Sequence, residues 1–179
     1  MNINSLFSTE ERIKIIENII FTDNQINVNK TASELRLSKG LISKYFNLLV
    51  SKKILQKRKN KFFVLDNSIV KSIKILFNIN QFKPSFFKKY PFIEGVGLYG
   101  SSVKGTNNED SDIDLWIKVK KIDELRLAQL TNALKRKNNK IKPLFLTDEK
   151  IKKLKKDDTI FYNSLIFGSI VLYGGEVEI

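Results

Sequence analysis

The chain contains neither cysteine nor histidine in its 179 residues. The first absence excludes disulfides, thiol nucleophiles and zinc–thiolate sites. The second leaves Asp, Glu, Lys, Tyr or water as the only groups for proton transfer or metal binding. No apolar run approaches the roughly 18–20 residues needed to cross a bilayer, so no membrane partner is expected. The opening stretch MNINSLFSTEER has no basic segment followed by an apolar core. It does not read as a signal peptide, and a cytoplasmic location is expected. No internal repeat and no low-complexity segment occurs.

Hydrophobic residues make up 42% of the chain and charged residues 28%, a balance that folds rather than staying disordered. The length suits one domain or two small ones. The charge has one dominant sign, +13 at pH 7. Residues 1–80 carry 14 Lys and Arg against six acids, and residues 81–179 carry 18 against 13. Such a balance favours a polyanionic partner, nucleic acid first. The plainer alternative is that lysine serves only solubility.

In the first half, Ser8-Thr9-Glu10-Glu11 reads as a capping box with Ser8 as the cap, opening a helix over residues 9–21. Ile26-Asn27-Val28 reads as a short extended piece. Thr31-Ala32-Ser33-Glu34 reads as a second capping box, and Ser38 as the cap of a third helix over 39–52. On that helix Leu41, Ile42, Tyr45, Leu48 and Leu49 form the apolar face. Two β-type runs, residues 54–58 and 61–65, flank a Lys59-Asn60 turn and predict a hairpin. This order of elements resembles the winged helix-turn-helix family over roughly residues 8–66. The resemblance implies that the third helix enters a major groove and the hairpin touches phosphates. Ser43, Lys44 and Asn47 would then face bases or backbone, and Lys57, Arg58, Lys59 and Lys61 would be wing contacts to DNA or RNA. Winged helices also dock proteins, and that alternative stays open. Residues 69–78 predict a linking helix with Ile69, Ile73, Leu76 and Phe77 buried. In residues 79–91 the aromatics Phe82, Phe86, Phe87 and Tyr90 lie between lysines, which fits packing better than base stacking.

The second half centres on Val96–Val119, VGLYGSSVKGTNNEDSDIDLWIKV. A strand over 92–99 ends in Gly100-Ser101, a small turn whose backbone N–H groups a triphosphate can approach closely. Ser101 adds a hydroxyl and Lys104 a positive charge. Asp112 and Asp114, two apart on the next strand, project to one face. Two carboxylates side by side repel, a divalent cation relieves this, and Mg²⁺ favours carboxylates together with phosphate oxygens.

The stretch GSSVKGTNNEDSDIDLWI resembles the nucleotidyltransferases of the DNA polymerase beta superfamily, particularly the minimal nucleotidyltransferases of prokaryotes. The resemblance implies an NTP substrate, Mg²⁺ held by Asp112 and Asp114, and nucleotide contacts from Gly100, Ser101 and Lys104. It also implies a third carboxylate on a later strand. That strand reads Ile141-Lys142-Pro143-Leu144-Phe145-Leu146, with Lys142 or Pro143 at the matching place. Glu109, Asp110, Asp148 or Glu149 are the substitutes on offer, although Asp148 and Glu149 more simply begin a helix after Thr147. Between the two strands a helix over 122–137 would turn Leu125, Ala128, Leu130 and Leu134 to the sheet. A basic helix over 148–156, a helix through Phe167 and a strand over 170–173 complete the chain.

The expected architecture is α+β or α/β. It comprises a winged helix-turn-helix domain in residues 1–80, a linker in 81–91 and a small mixed-sheet nucleotidyltransferase domain in 92–179. The expected activity is metal-dependent transfer of NMP to a hydroxyl on a protein or RNA. An antitoxin role beside a separately encoded toxin follows from the family analogy. The alternative is a catalytically degenerate transferase fold acting as a DNA-binding regulator or nucleotide sensor.

Overall fold

The computed structural model describes residues 3–120 and 123–177. The chain divides into two compact units, Met1–Lys74 and Ile75–Ile179. The division falls within one helix, α4 (Ser68–Asn80).

The first unit opens with a short 3-10 turn (Ile3–Ser5) and then α1 (Glu10–Ile19). Thr9, not Ser8, is the cap of α1: its side chain accepts from the Arg12 N–H. Ser8 Oγ instead accepts from the Arg12 guanidinium at 2.8 Å. The second helix, α2 (Val28–Leu35), starts earlier than the Thr31 box implies. Asn27 caps it through two backbone N–H groups, and Thr31 is buried inside it. Asn competes as well as Thr for a cap position, and tertiary burial decided between them. Ser38 caps α3 (Lys39–Ser51). Strands β1 (Leu55–Arg58) and β2 (Lys61–Val64) pair antiparallel around Lys59-Asn60, with Lys59 in the left-handed region. Ile26 bridges to Phe62 by two backbone hydrogen bonds. Ile15, Ile16, Ile42, Tyr45, Phe46, Leu49, Ile54 and Phe62 form the interior, and the Tyr45 hydroxyl donates to the Leu6 carbonyl at 2.8 Å. On α4, Ile73 and Phe77 are buried but Leu76 is exposed, a departure from the expected face.

The second unit is built on a four-stranded sheet of order β5-β4-β3-β6. Its strands are β3 (Ile93–Leu98), β4 (Ile113–Val119), β5 (Ile141–Leu146) and β6 (Ile170–Gly174). β3 runs antiparallel to β4 and β6, while β4 and β5 are parallel. The parallel pair is joined by α7 (Glu124–Lys137), capped by Asp123; Ile122, the expected helix start, lies outside the described residues. Short helices α5 (Pro84–Phe87) and α6 (Ser101–Lys104) precede and follow β3, and α8 (Asp148–Asp157) and α9 (Thr159–Phe167) lie between β5 and β6 in sequence. Among the described residues no helix is long and apolar enough to cross a membrane.

Strand periodicity sorts the side chains of this sheet. Val96, Leu98, Ile113, Leu115, Ile117, Val119 and Ile141 join Phe82, Phe87, Leu130 and Leu134 in one apolar layer. Of the expected α7 contacts, Leu130 and Leu134 reach that layer, but Leu125 and Ala128 are exposed. Their places on the helix surface lie outside the stripe that Leu127, Leu130 and Leu134 define at spacings of three and four. On the opposite sheet face Trp116 packs with Leu146, Ile151, Tyr162 and Leu165 from β5, α8 and α9. Gly97 pairs across the sheet with Trp116, and a Cβ there would fall 2.5 Å from the indole ring. The bare backbone of Gly97 is thus the floor on which the indole lies.

Candidate active site

Asp112 lies one residue before β4 and Asp114 is its second residue. The period of two places both on the sheet face of Trp116, opposite the layer holding Ile113 and Leu115. The turn after β3 comes to meet them. Leu98 pairs with Leu115, and the Tyr99 N–H donates to the Asp114 carbonyl at 3.1 Å. The next residue, Gly100, has φ 70° and ψ −139°, a conformation that L side chains rarely adopt. A Cβ on Gly100 would sit 2.6 Å from Asp114 Oδ2. The serine-bearing turn and the acidic pair, 12 positions apart in sequence, therefore share one spot.

Ser101, half-buried, begins α6 and Lys104, exposed, ends it. The loop that follows is held from beneath by a reciprocal amide pair. Asn78 Nδ2 donates to Asn107 Oδ1 at 3.0 Å and to the Ser102 carbonyl at 2.8 Å, and Asn107 Nδ2 donates back to Asn78 Oδ1 at 3.1 Å. Both asparagines are buried. Side-chain bonds of this kind fix a loop because breaking one strands a buried polar group. Sequence reasoning missed this anchor, since Asn78 reads as one more polar residue of a helix.

Burial, and then the neighbouring charge of Asp112, hold the Asp114 carboxyl above the usual carboxylate range. Burial and the Asp114 charge push the Tyr99 hydroxyl up in turn. The site thus concentrates negative charge where water is partly excluded, which is the environment a divalent cation relieves. The donor set fits one such cation: two carboxylates on one face, with a triphosphate supplying further oxygens. Among the described residues no group of three or more His, Cys, Asp or Glu side chains gathers as a metal cage. Glu109 and Asp110 are exposed in the loop before β4. Asp148 pairs with Lys118 Nζ at 3.8 Å. Lys118 stands four residues beyond Asp114, about 13 Å along the strand, so Asp148 and its neighbour Glu149 are no substitutes. They lie in the first turn of α8 behind the Thr147 cap.

The place opposite Asp114 on β5 belongs to Lys142. Its Nζ lies 3.9 Å from Asp112 Oδ1, with both side chains more than half exposed. Two and four residues further along the same face, Leu144 and Leu146 line an apolar cavity of about 260 Å³ with Leu154, rimmed by Lys150, Lys153 and Asp157. Neither the lysine–carboxylate pair nor the cavity was evident from local sequence, because strand register creates both.

The nucleic-acid candidates all lie in the first unit. Lys44 and Asn47 are exposed on α3 and Ser43 is half-buried there. Lys57, Arg58, Lys59 and Lys61 are all exposed around the β1–β2 turn. Lys57 and Arg58 lie over the rings of Phe62 and Phe63.

A sheet of this kind, carrying a glycine turn against a pair of strand carboxylates, defines a nucleotidyltransferase fold. The family model for polymerase beta nucleotidyltransferases matches residues 84–176, just over half of the chain. The chain belongs to the polymerase beta nucleotidyltransferase family. No curated protein matches it. Three solved structures are similar in part. One is a toxin–antitoxin with AMP-PNP, 19% identical, with TM-score 0.37 over 61% of this chain and 75% of that one. The second is a protein from Sulfolobus solfataricus described as a nucleotidyltransferase, 18% identical, with TM-score 0.38 over 62% and 93%. The third is the tri-AMPylated Shewanella oneidensis HEPN toxin in complex with MNT antitoxin, 14% identical, with TM-score 0.34 over 59% and 73%.

Proposed function

We propose that the second unit binds a nucleoside triphosphate with Mg²⁺ and transfers its NMP moiety to a hydroxyl on a protein or RNA. The observation that carries this reading is the approach of the Gly100 backbone to the Asp114 carboxylate. It brings the backbone of the turn directly beside the acids and admits nothing bulkier than glycine there. Asp112 and Asp114 hold the cation, Gly100 and Ser101 face the phosphates, and Lys104 adds charge at the loop. The apolar cavity beside β5 is a seat for the base or for an apolar group of the acceptor. When bound, Mg²⁺ supplies charge neutralisation at the α-phosphate. The acceptor oxygen bonds to the α-phosphorus, the bond to the bridging oxygen breaks, and pyrophosphate leaves with the electron pair. The acceptor proton passes to solvent. Of possible acceptors, a separately encoded toxin protein is the first to test, on the family resemblance. The assay is incubation with each labelled NTP, Mg²⁺ and candidate acceptors. Label should reach the acceptor with the wild type and not with the Asp112→Ala, Asp114→Ala double variant. Equal transfer by both overturns the assigned roles.

A second reading is favoured by the four exposed basic residues of the hairpin. In it the first unit is a winged helix that binds duplex DNA, with α3 in the groove and the hairpin on phosphates, so that the chain acts as a regulator or nucleotide sensor. Each phosphate contact adds close to one unit to the salt dependence of affinity. Replacing Lys57, Arg58, Lys59 and Lys61 together with Gln should flatten the plot of log affinity against log salt by roughly three to four units. An unchanged slope in a mobility-shift or anisotropy titration overturns the wing's role.

A further inference from the structure

We propose that Lys142 stands in for the third carboxylate, so that the site takes one divalent cation and the lysine ammonium contacts the triphosphate directly. The inference rests on the transferase reading above and specifies how that site handles charge. Three observations support it. Lys142 is the cross-strand partner of Asp114 in the parallel β4–β5 pair. It shares a face with Asp112, Asp114, Leu144 and Leu146, as the period of two requires. Its Nζ already lies 3.9 Å from Asp112 Oδ1.

An ammonium has three donors and no lone pair, so it cannot ligate a metal. A second divalent cation at this end of the pair would meet a like charge at close range. The same ammonium is a good partner for phosphate oxygens, with which it forms short, charge-assisted hydrogen bonds. Stability does not explain a lysine here, because an ion pair this exposed contributes little to the fold. Its position does: on the flanking strand β5, at the end of the sheet order, it can swing from Asp112 to an incoming phosphate without moving the backbone. One cation, one ammonium and two carboxylates thus serve where the family resemblance implies a third carboxylate.

The test counts Mn²⁺ bound to the full chain by electron paramagnetic resonance, with each of the four non-hydrolysable nucleoside triphosphate analogues. The expected result is one Mn²⁺ per bound nucleotide in the wild type and two in Lys142→Asp. Lys142→Gln should bind the analogue at least tenfold more weakly, and Lys142→Arg close to normally. Circular dichroism melts check that each variant folds. Two Mn²⁺ in the wild type, one in Lys142→Asp, or undiminished affinity in Lys142→Gln overturns the proposal while the transferase reading stands. Failure of the wild type to bind any analogue with Mn²⁺ overturns both.

Discussion

Asp114→Asn is expected to give a protein that is more stable than the wild type in metal-free buffer and nearly inactive. The two effects have one cause. The Asp114 carboxyl is held above its ordinary range by burial first and by Asp112 second. Between the ordinary carboxylate pKa and the raised folded value, the native state binds more protons than the unfolded chain. Stability therefore falls as pH rises through that window, and the loss persists at neutral pH. Asparagine carries no charge to desolvate or repel. The gain is about 1 kcal/mol or less, because the carboxyl is only partly buried and solvent screens it. Urea melts in EDTA at neutral pH and near pH 3 check the sign: the variants should differ at neutrality and converge in acid. Mg²⁺ should then raise the wild-type melting temperature and leave Asp114→Asn unmoved, since only a bound ligand stabilises by mass action. NMP transfer should fall about a thousandfold, equivalent to roughly 4 kcal/mol of lost transition-state stabilisation. An Asn variant that is less stable than wild type in EDTA overturns the account of the charge.

The second large effect is expected at Gly100. A methyl group there meets two obstacles: a backbone at φ 70° and ψ −139° that alanine resists, and Asp114 Oδ2 at 2.6 Å. The backbone strain costs about 1–3 kcal/mol. The carboxylate relieves the clash by swinging away, which lets the fold survive and displaces the acid. A misplacement of about 1 Å at a reacting centre costs on the order of a hundredfold in rate. Gly100→Ala should therefore lower both the melting temperature and transfer. Gly40 in α3, where a Cβ would meet nothing within 4 Å, is the control. Alanine there should stabilise by up to about 1 kcal/mol, as expected for a helical glycine.

The contrast between the two glycines also marks how far sequence alone reaches. The strand–turn–strand around Gly100, Asp112 and Asp114 was legible because its signals are local: an apolar run, a small turn, and two acids at a spacing of two. Helix positions were legible from the 3.6-residue pattern, but two N-caps moved: to Thr9, whose oxygen is equivalent to that of its neighbour Ser8, and to Asn27, because Thr31 is buried within its helix. The face of α7 was misjudged at Leu125 and Ala128, where no local rule says which apolar residues meet the sheet. The Asn78–Asn107 pair, the seating of Trp116 on Gly97 and the Lys142–Asp112 contact were not legible at all. Each joins residues 19 or more positions apart, so only strand register or tertiary packing brings them together.

Trp116 is the only tryptophan in the chain, and it lies sealed in the second unit two residues from Asp114 on the same face. The molecule therefore carries its own optical reporter. Indole emission reports the melting of the unit that holds it, residues 75–179, without a label, while circular dichroism reports the helices and strands of both units. Its place two residues from Asp114 also makes the same signal a readout to try for any ligand taken up beside the acidic pair.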